Sequence, residues 1–148
     1  MEFDGLELRR LSRQECLRLL GSVPVGRIIY TRQALPAVDL VNFVLHEGDI
    51  VFKTDAGGKL GAAVRGAVVA FEADSLNYER QTGWSVTVVG QCLAVTDPGV
   101  IERLRGTGIS PCAPGEREHF VRIPPSIVNG RLLAGQPLGV LGHAFSSS

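Results

Sequence analysis

Fifteen basic and fifteen acidic residues in 148 leave no net charge, so the chain has no global field to hold a polyanion, and general nucleic-acid binding is excluded. With 45% hydrophobic residues it lies well above the composition of disordered chains, and its length suits one domain with a sizeable core. The basic set is lopsided: thirteen residues are arginines, and the two lysines, Lys53 and Lys59, share one turn-rich stretch where a small local anion site can form.

The longest uncharged stretches, residues 84–96 and 132–148, are short or broken by Gly and Pro. Neither reaches the roughly 20 apolar residues of a membrane helix. The start, MEFDGLELRR, is acidic and mixed where a secretory signal is basic and then apolar. Cys16, Cys92 and Cys112 are odd in number, far apart and without a C-x-x-C pair, which argues against a disulfide framework or Cys-rich zinc site and for a reducing cytoplasm.

Ser12 and Glu15 in LSRQECLRLL make a capping box, and Leu11, Cys16, Leu19 and Leu20 recur at helical spacing, so residues 12–21 read as an amphipathic helix. Gly21 ends it and Pro24 prevents its continuation. β-Branched residues then dominate in VGRIIYT (25–31), AVDLVNFVL (37–45), IVFKT (50–54), AVVAFEA (67–73), WSVTVVGQCLAVT (84–96) and FVRI (120–123), with SIVNGRLL following: six strands, or seven. Glu47-Gly48-Asp49 makes a tight hairpin, because Gly accepts a positive φ. The connections 55–66 and 97–106 each hold a helical turn or two, KLGAAV and PGVIERLR.

AVVAFEA sets Val68, Ala70 and Glu72 against Ala67, Val69 and Phe71, so it is apolar on both faces. Such strands line a closed barrel with something packed outside it, and here a partner subunit is the expectation. One domain is expected over residues 1–133, with a Gly- and Ser-rich tail, 134–148, that frays or packs loosely.

IVFKTDAGGKLGAAV, residues 50–64, is the most informative run chemically. A strand ends at Thr54, two glycines allow close backbone approach, and Lys59 opens a short helical segment. A hydroxyl, an ammonium and backbone N–H groups are what a phosphate needs. The run is no Walker A loop, which would need Gly at position 53 and Ser or Thr at position 60, where this chain has Lys53 and Leu60. From this stretch alone a plain turn with a solvated lysine is favoured. Strand alternation puts Phe52 and Thr54 on one face and Lys53 on the other, which leaves Lys59 as the better phosphate ligand.

Three segments together, VGRIIYT with VNFVL, then IVFKTDAGGKL, then TGWSVTVVG, resemble the pyridoxamine 5′-phosphate oxidase-related family of FMN-binding split barrels, over roughly residues 11–133. The resemblance implies a mainly β fold, a six-stranded antiparallel split β-barrel of Greek-key type with a few short helices. It implies a homodimer binding FMN, or a deazaflavin, in two equivalent clefts at the subunit interface. The residues that match the family's phosphate contacts are Thr54, Gly58 and Lys59; those matching its ring-edge contacts are Val41, Asn42, Phe43 and Val44; Ser85, beside Trp84, matches a polar contact to the ring system. The chain departs from the oxidases proper in having Gly58 before Lys59 instead of an Arg-Lys pair, and only Arg122 and Arg131 in a shortened C-terminal segment, which argues against pyridoxamine phosphate as substrate. Asp39, in the second strand, puts an acid near a site expected to receive an anion.

The individual residues leave alternatives open. Trp84 can stack on a flavin ring or fill a core or dimer interface. Asn42, flanked by apolar residues, needs polar partners if buried, from the flavin edge or a neighbouring loop. Arg27 pairs with a phosphate or with Glu72 or Asp74, and the salt bridge is favoured. His46 and His119 have no carboxylate or cysteine at ligand spacing, so no metal is expected. No nucleophile elbow, H-E-x-x-H or Ser-His-Asp set is visible. The expected function is an FMN-dependent oxidoreductase acting on a small molecule by hydride transfer; a deazaflavin-dependent reductase or a non-catalytic flavin-binding or regulatory module is the alternative.

Overall fold

The computed structural model describes residues 2–3, 6–55, 59–109 and 118–135. Their elements run β1 (Glu2–Phe3), β2 (Leu6–Arg10), α1 (Arg13–Leu20), β3 (Val25–Arg32), β4 (Leu35–His46), β5 (Asp49–Asp55), α2 (Lys59–Val64), β6 (Val68–Asn77), β7 (Thr82–Gln91), β8 (Leu93–Ala94), α3 (Pro98–Arg105), β9 (Glu118–Ile123) and β10 (Ile127–Gly135). No helix among the described residues is long and apolar enough to cross a membrane.

Local chemistry accounts for the punctuation. The capping box at α1 forms as its residue types require: the Glu15 amide donates to Ser12 Oγ, and the Ser12 amide donates to Glu15 Oε1. Asp97 caps α3 by accepting from the amides of Gly99 and Val100. Glu47 and Gly48, with φ of 51° and 84°, make the two-residue turn between β4 and β5. Their positive φ values match the right-handed twist of a hairpin.

The strands follow one another in the order β1-β2-β10-β7-β6-β3-β4-β5-β9-β8, and two chain segments serve both halves of it. β4 pairs with β3 from Leu35 to Asn42 and with β5 from Phe43 to His46. β7 pairs with β6, and past Cys92 the same run continues as β8, which pairs with β9. The ring β3, β4, β5, β9, β7/β8 and β6 therefore closes with six strands, all antiparallel neighbours. The remaining strands β10, β2 and β1 extend the sheet beside β7. The run 84–96 is thus two strands, bent at Cys92, and the tail begins later than residue 134: Ala134 and Gly135 pair with Glu7 and Leu6. Ladder hydrogen bonds are made by backbone, so a Gly and an Ala join them readily; residues 136–148 lie outside the described residues.

Alternation in β6 and β7 turns Val69, Phe71, Ala73, Trp84, Val86 and Val88 into the barrel, where they form the main core. Gly26 lies against them, since a Cβ there would collide with the Phe71 ring. A second cluster, centred on Val51, Leu104 and Phe120, lies where α3 covers the outside of the β5–β9 sheet. The other outer face, over β3, β4, β6 and β10, leaves Val25, Val38, Leu40, Val68 and Ile127 exposed.

Candidate functional site

The barrel splits beside one residue pair. Phe43 on β4 faces Phe52 on β5, and there their ladder ends. β4 on its other side of that point pairs with β3, through Asn42↔Val25 and Val41↔Gly26. β5 runs on with β9 alone, through Lys53↔Phe120, Thr54↔His119 and Asp55↔Glu118. Beyond that pair Val41–Asn42 and Lys53–Asp55 follow different neighbours, β3 and β9, so the two strands diverge.

Thr54 is 8% exposed and shares its face with Phe52, while Lys53 points the opposite way. α2 begins at Lys59, just past this end of β5. Gly58 lies outside the described residues. Phe43 is a core residue, 4% exposed, its ring edge-on to Phe71 at 4.8 Å and 70°. Val41 packs against the same core, and Val44 faces the cluster under α3. A cleft of about 380 Å³ between the end of α1 and β4 is lined by Leu20, Ser22, Pro24, Phe43 and Leu45. It offers mainly apolar contact.

His119 has no role in a reading of the sequence alone, yet the β5–β9 register sets it directly beside Thr54 on the same face, with its side chain exposed. Only the pairing of two strands far apart in the chain reveals this neighbour.

Trp84 and Ser85 occupy opposite faces. Trp84 is 8% exposed and belongs to the barrel core. Ser85 faces outward and its hydroxyl donates to Glu72 Oε2 at 3.2 Å. Thr54 instead shares the inner face of β5 with the core residue Phe52, so the side chains of Ser85 and Thr54 lie on opposite sides of the barrel wall.

Ser85 belongs instead to a charged cluster. Arg27 Nη1 donates to Glu72 Oε1 at 2.9 Å and to Asp74 Oδ2 at 3.1 Å, which decides between the partners open to Arg27 in the sequence. Two carboxylates share one guanidinium. Burial of Glu72 and the presence of Asp74 beside it raise its proton affinity above the ordinary carboxylate value, outweighing Arg27 and Ser85, which act in the other direction. The Arg27 guanidinium is held protonated still more firmly, first by its hydrogen bond to Glu72.

Asp39 is similarly engaged: the Tyr30 hydroxyl donates to its Oδ2 at 2.6 Å. That hydrogen bond, helped by burial, pushes the Tyr30 phenol up. Arg122 forms an ion pair with Asp49 at 3.0 Å, at the far end of β5 from Thr54. Arg131 lies opposite Ser85 on β10.

A closed six-stranded barrel, split beside Phe43 and Phe52, with a hydroxyl and a histidine at the mouth of the split, defines the class as a mainly β split barrel. The chain belongs to the pyridoxamine 5′-phosphate oxidase family, whose model matches residues 12–132. An uncharacterized protein of Mycobacterium tuberculosis is 40% identical over 129 residues, 84% of each chain. Among solved structures, an FAD-binding protein of Mycobacterium smegmatis is 33% identical, with a TM-score of 0.73 over 84% of this chain and 97% of that one. An FAD- and haem-binding protein of the same organism, 16% identical with a TM-score of 0.71 over 90% of this chain and 76% of that one, shares the fold.

Proposed function

We propose that the chain is a flavin-dependent oxidoreductase acting on a small molecule, and that it works as a pair of copies. The observation that carries this is the split itself: it sets Val41–Asn42 across from the end of β5 that carries Thr54 and leads into Lys59. The FAD-binding protein of M. smegmatis, 33% identical over most of both chains, supports a flavin as the ligand.

The donor set suits that group. Thr54, Gly58 and Lys59 supply a hydroxyl, a close backbone and an ammonium for phosphate, and His119 adds a further side chain beside Thr54. Asp39 does not oppose the phosphate as an unshielded charge, because Tyr30 holds its carboxylate. Val41, Asn42, Phe43 and Val44 meet the ring edge; Val41, Phe43 and Val44 do so through backbone, since their side chains pack against the two cores. When bound, the flavin supplies hydride transfer, and the protein supplies orientation and polarity around it. Exclusion of water falls to the apolar cleft beside Phe43.

Ser85 lies on the outer face, away from the inner face that carries Thr54, so it meets the ring bound by a second copy. The exposed Val25, Val38, Leu40, Val68 and Ile127 on the same outer face support such pairing, with cofactor sites at the interface. The phosphate contacts of FMN serve FAD equally well, so the M. smegmatis protein widens the cofactor class from FMN to flavin nucleotides, with a deazaflavin as the alternative. The missing Arg-Lys pair still argues against pyridoxamine phosphate as substrate.

Natively purified protein should carry the visible absorption of a flavin, and mass spectrometry of the released ligand should separate FMN, FAD and a deazaflavin. Colourless protein whose melting temperature does not respond to any of the three would refute the proposal. Flavin binding without reduction by any nicotinamide donor would leave the regulatory-module reading in its place.

A further inference from the structure

The charged cluster behind Ser85 is larger than a structural salt bridge needs. One carboxylate would satisfy Arg27, yet Glu72 and Asp74 both approach it, and the second oxygen of Glu72 is kept for Ser85. A serine hydroxyl has one proton and two lone pairs. While that proton is given to Glu72 Oε2, only the lone pairs point outward.

We infer that Glu72 is the positioning residue for Ser85, taking its hydroxyl proton so that Ser85 offers the flavin ring of a paired copy an acceptor and never a donor. This rests on the proposed pairing of copies and on flavin as the ligand. An acceptor at the ring favours N–H groups, of which a reduced flavin has more than an oxidised one. Ser85 held in this way therefore binds the reduced form more tightly. Arg27 fixes the arrangement from the far side, because its bond to Oε1 leaves Oε2 as the oxygen that faces Ser85.

The substitution Glu72→Gln isolates the effect. Arg27 has only donors, so it holds the amide oxygen of the new side chain and turns the amide NH2 toward Ser85. The amide then donates, and the Ser85 proton is released outward. Ser85 changes from acceptor to donor with almost no change in shape.

The test uses flavin-loaded protein and reads the bound midpoint potential and the dissociation constants of both redox states. Glu72→Gln should weaken the preference for reduced over oxidised flavin by about two- to tenfold, the range of a single hydrogen bond. Loss of a negative charge alone would act in the opposite direction, favouring the reduced form. In a Ser85→Ala background the same substitution should show only that opposite, electrostatic shift. An unchanged or strengthened preference in Glu72→Gln, or the same shift with and without Ser85, overturns the inference while leaving flavin binding intact. Wild-type protein that binds no flavin overturns the proposed function itself, and this inference with it.

Discussion

Gly26→Ala tests how tightly the core is packed beside the split. A Cβ at this position collides with the Phe71 ring, and two ring carbons lie 2.9 Å from it. Ordinary carbon–carbon contact is about 3.5–4.0 Å, so the ring must retreat by about 1 Å. Phe71 has no exposed surface, and the Phe43 ring blocks it edge-on at 4.8 Å. Overpacking of this kind costs about 1–3 kcal/mol, while replacing a strand glycine returns up to about 1 kcal/mol of backbone entropy. The net loss is about 1–2 kcal/mol, a fall of about 2–8 °C in Tm for a chain of this size. Thermal unfolding by circular dichroism measures it, and Phe71→Leu in the same chain should recover part of the loss by making room. A Tm unchanged or raised in Gly26→Ala would refute the packing argument, because the entropy gain would then be the only term acting.

Lys59→Ala should weaken flavin binding about 10- to 100-fold, from loss of a charge-assisted contact of about 1.5–3 kcal/mol, and titration calorimetry that shows no change would move the phosphate elsewhere. His119→Ala, at the side of Thr54, should weaken it less. Burial pushes the Cys92 thiol up to about 12 and raises that of Cys16 as well, so in a Cys112→Ser background a thiol reagent at neutral pH should find no reactive group until the protein is unfolded, and two afterwards. Glu72 binds its proton more tightly folded than unfolded, so its contribution to stability is fully present below the ordinary carboxylate value and is lost as pH rises above it. Asp74→Asn removes one cause of that shift and should flatten this part of the Tm-against-pH curve. Gln33 and Ala34 turn the β3–β4 hairpin with φ of 52° and 64°; Ala34→Gly should raise the Tm by relieving about 1 kcal/mol of left-handed strain.

That last hairpin shows where the sequence falls short. Glu47-Gly48 announces a turn because glycine marks it, whereas Gln33-Ala34 adopts the same conformation with neither residue suited to it. The long β3–β4 ladder imposes the turn, and no local propensity records that. β2 was equally hidden: LELRR has little β-propensity and becomes a strand through pairing with β10. By contrast α1, the alternation in β6 and β7 and the opposition of Lys53 to Thr54 are legible because each follows from a local period or cap. For the site, residue types singled out Thr54 and Lys59, but the place of His119 depends on a long-range register. Trp84 and Ser85 show a related limit: alternation in β7 assigns them opposite faces, and only knowing which face is the core tells which of the two lies inside.

The closure at β8 has a dynamic consequence. Five of the six seams of the barrel are held by three to ten residue pairs each, whereas β8 joins β9 through two, Leu93↔Arg122 and Ala94↔Val121. A seam so short is where a barrel opens at the least cost, without unfolding the rest. Amide exchange at Leu93 and Ala94 should therefore be governed by a local unzipping, in which the β5–β9 sheet and its covering helix swing as one flap hinged along β4.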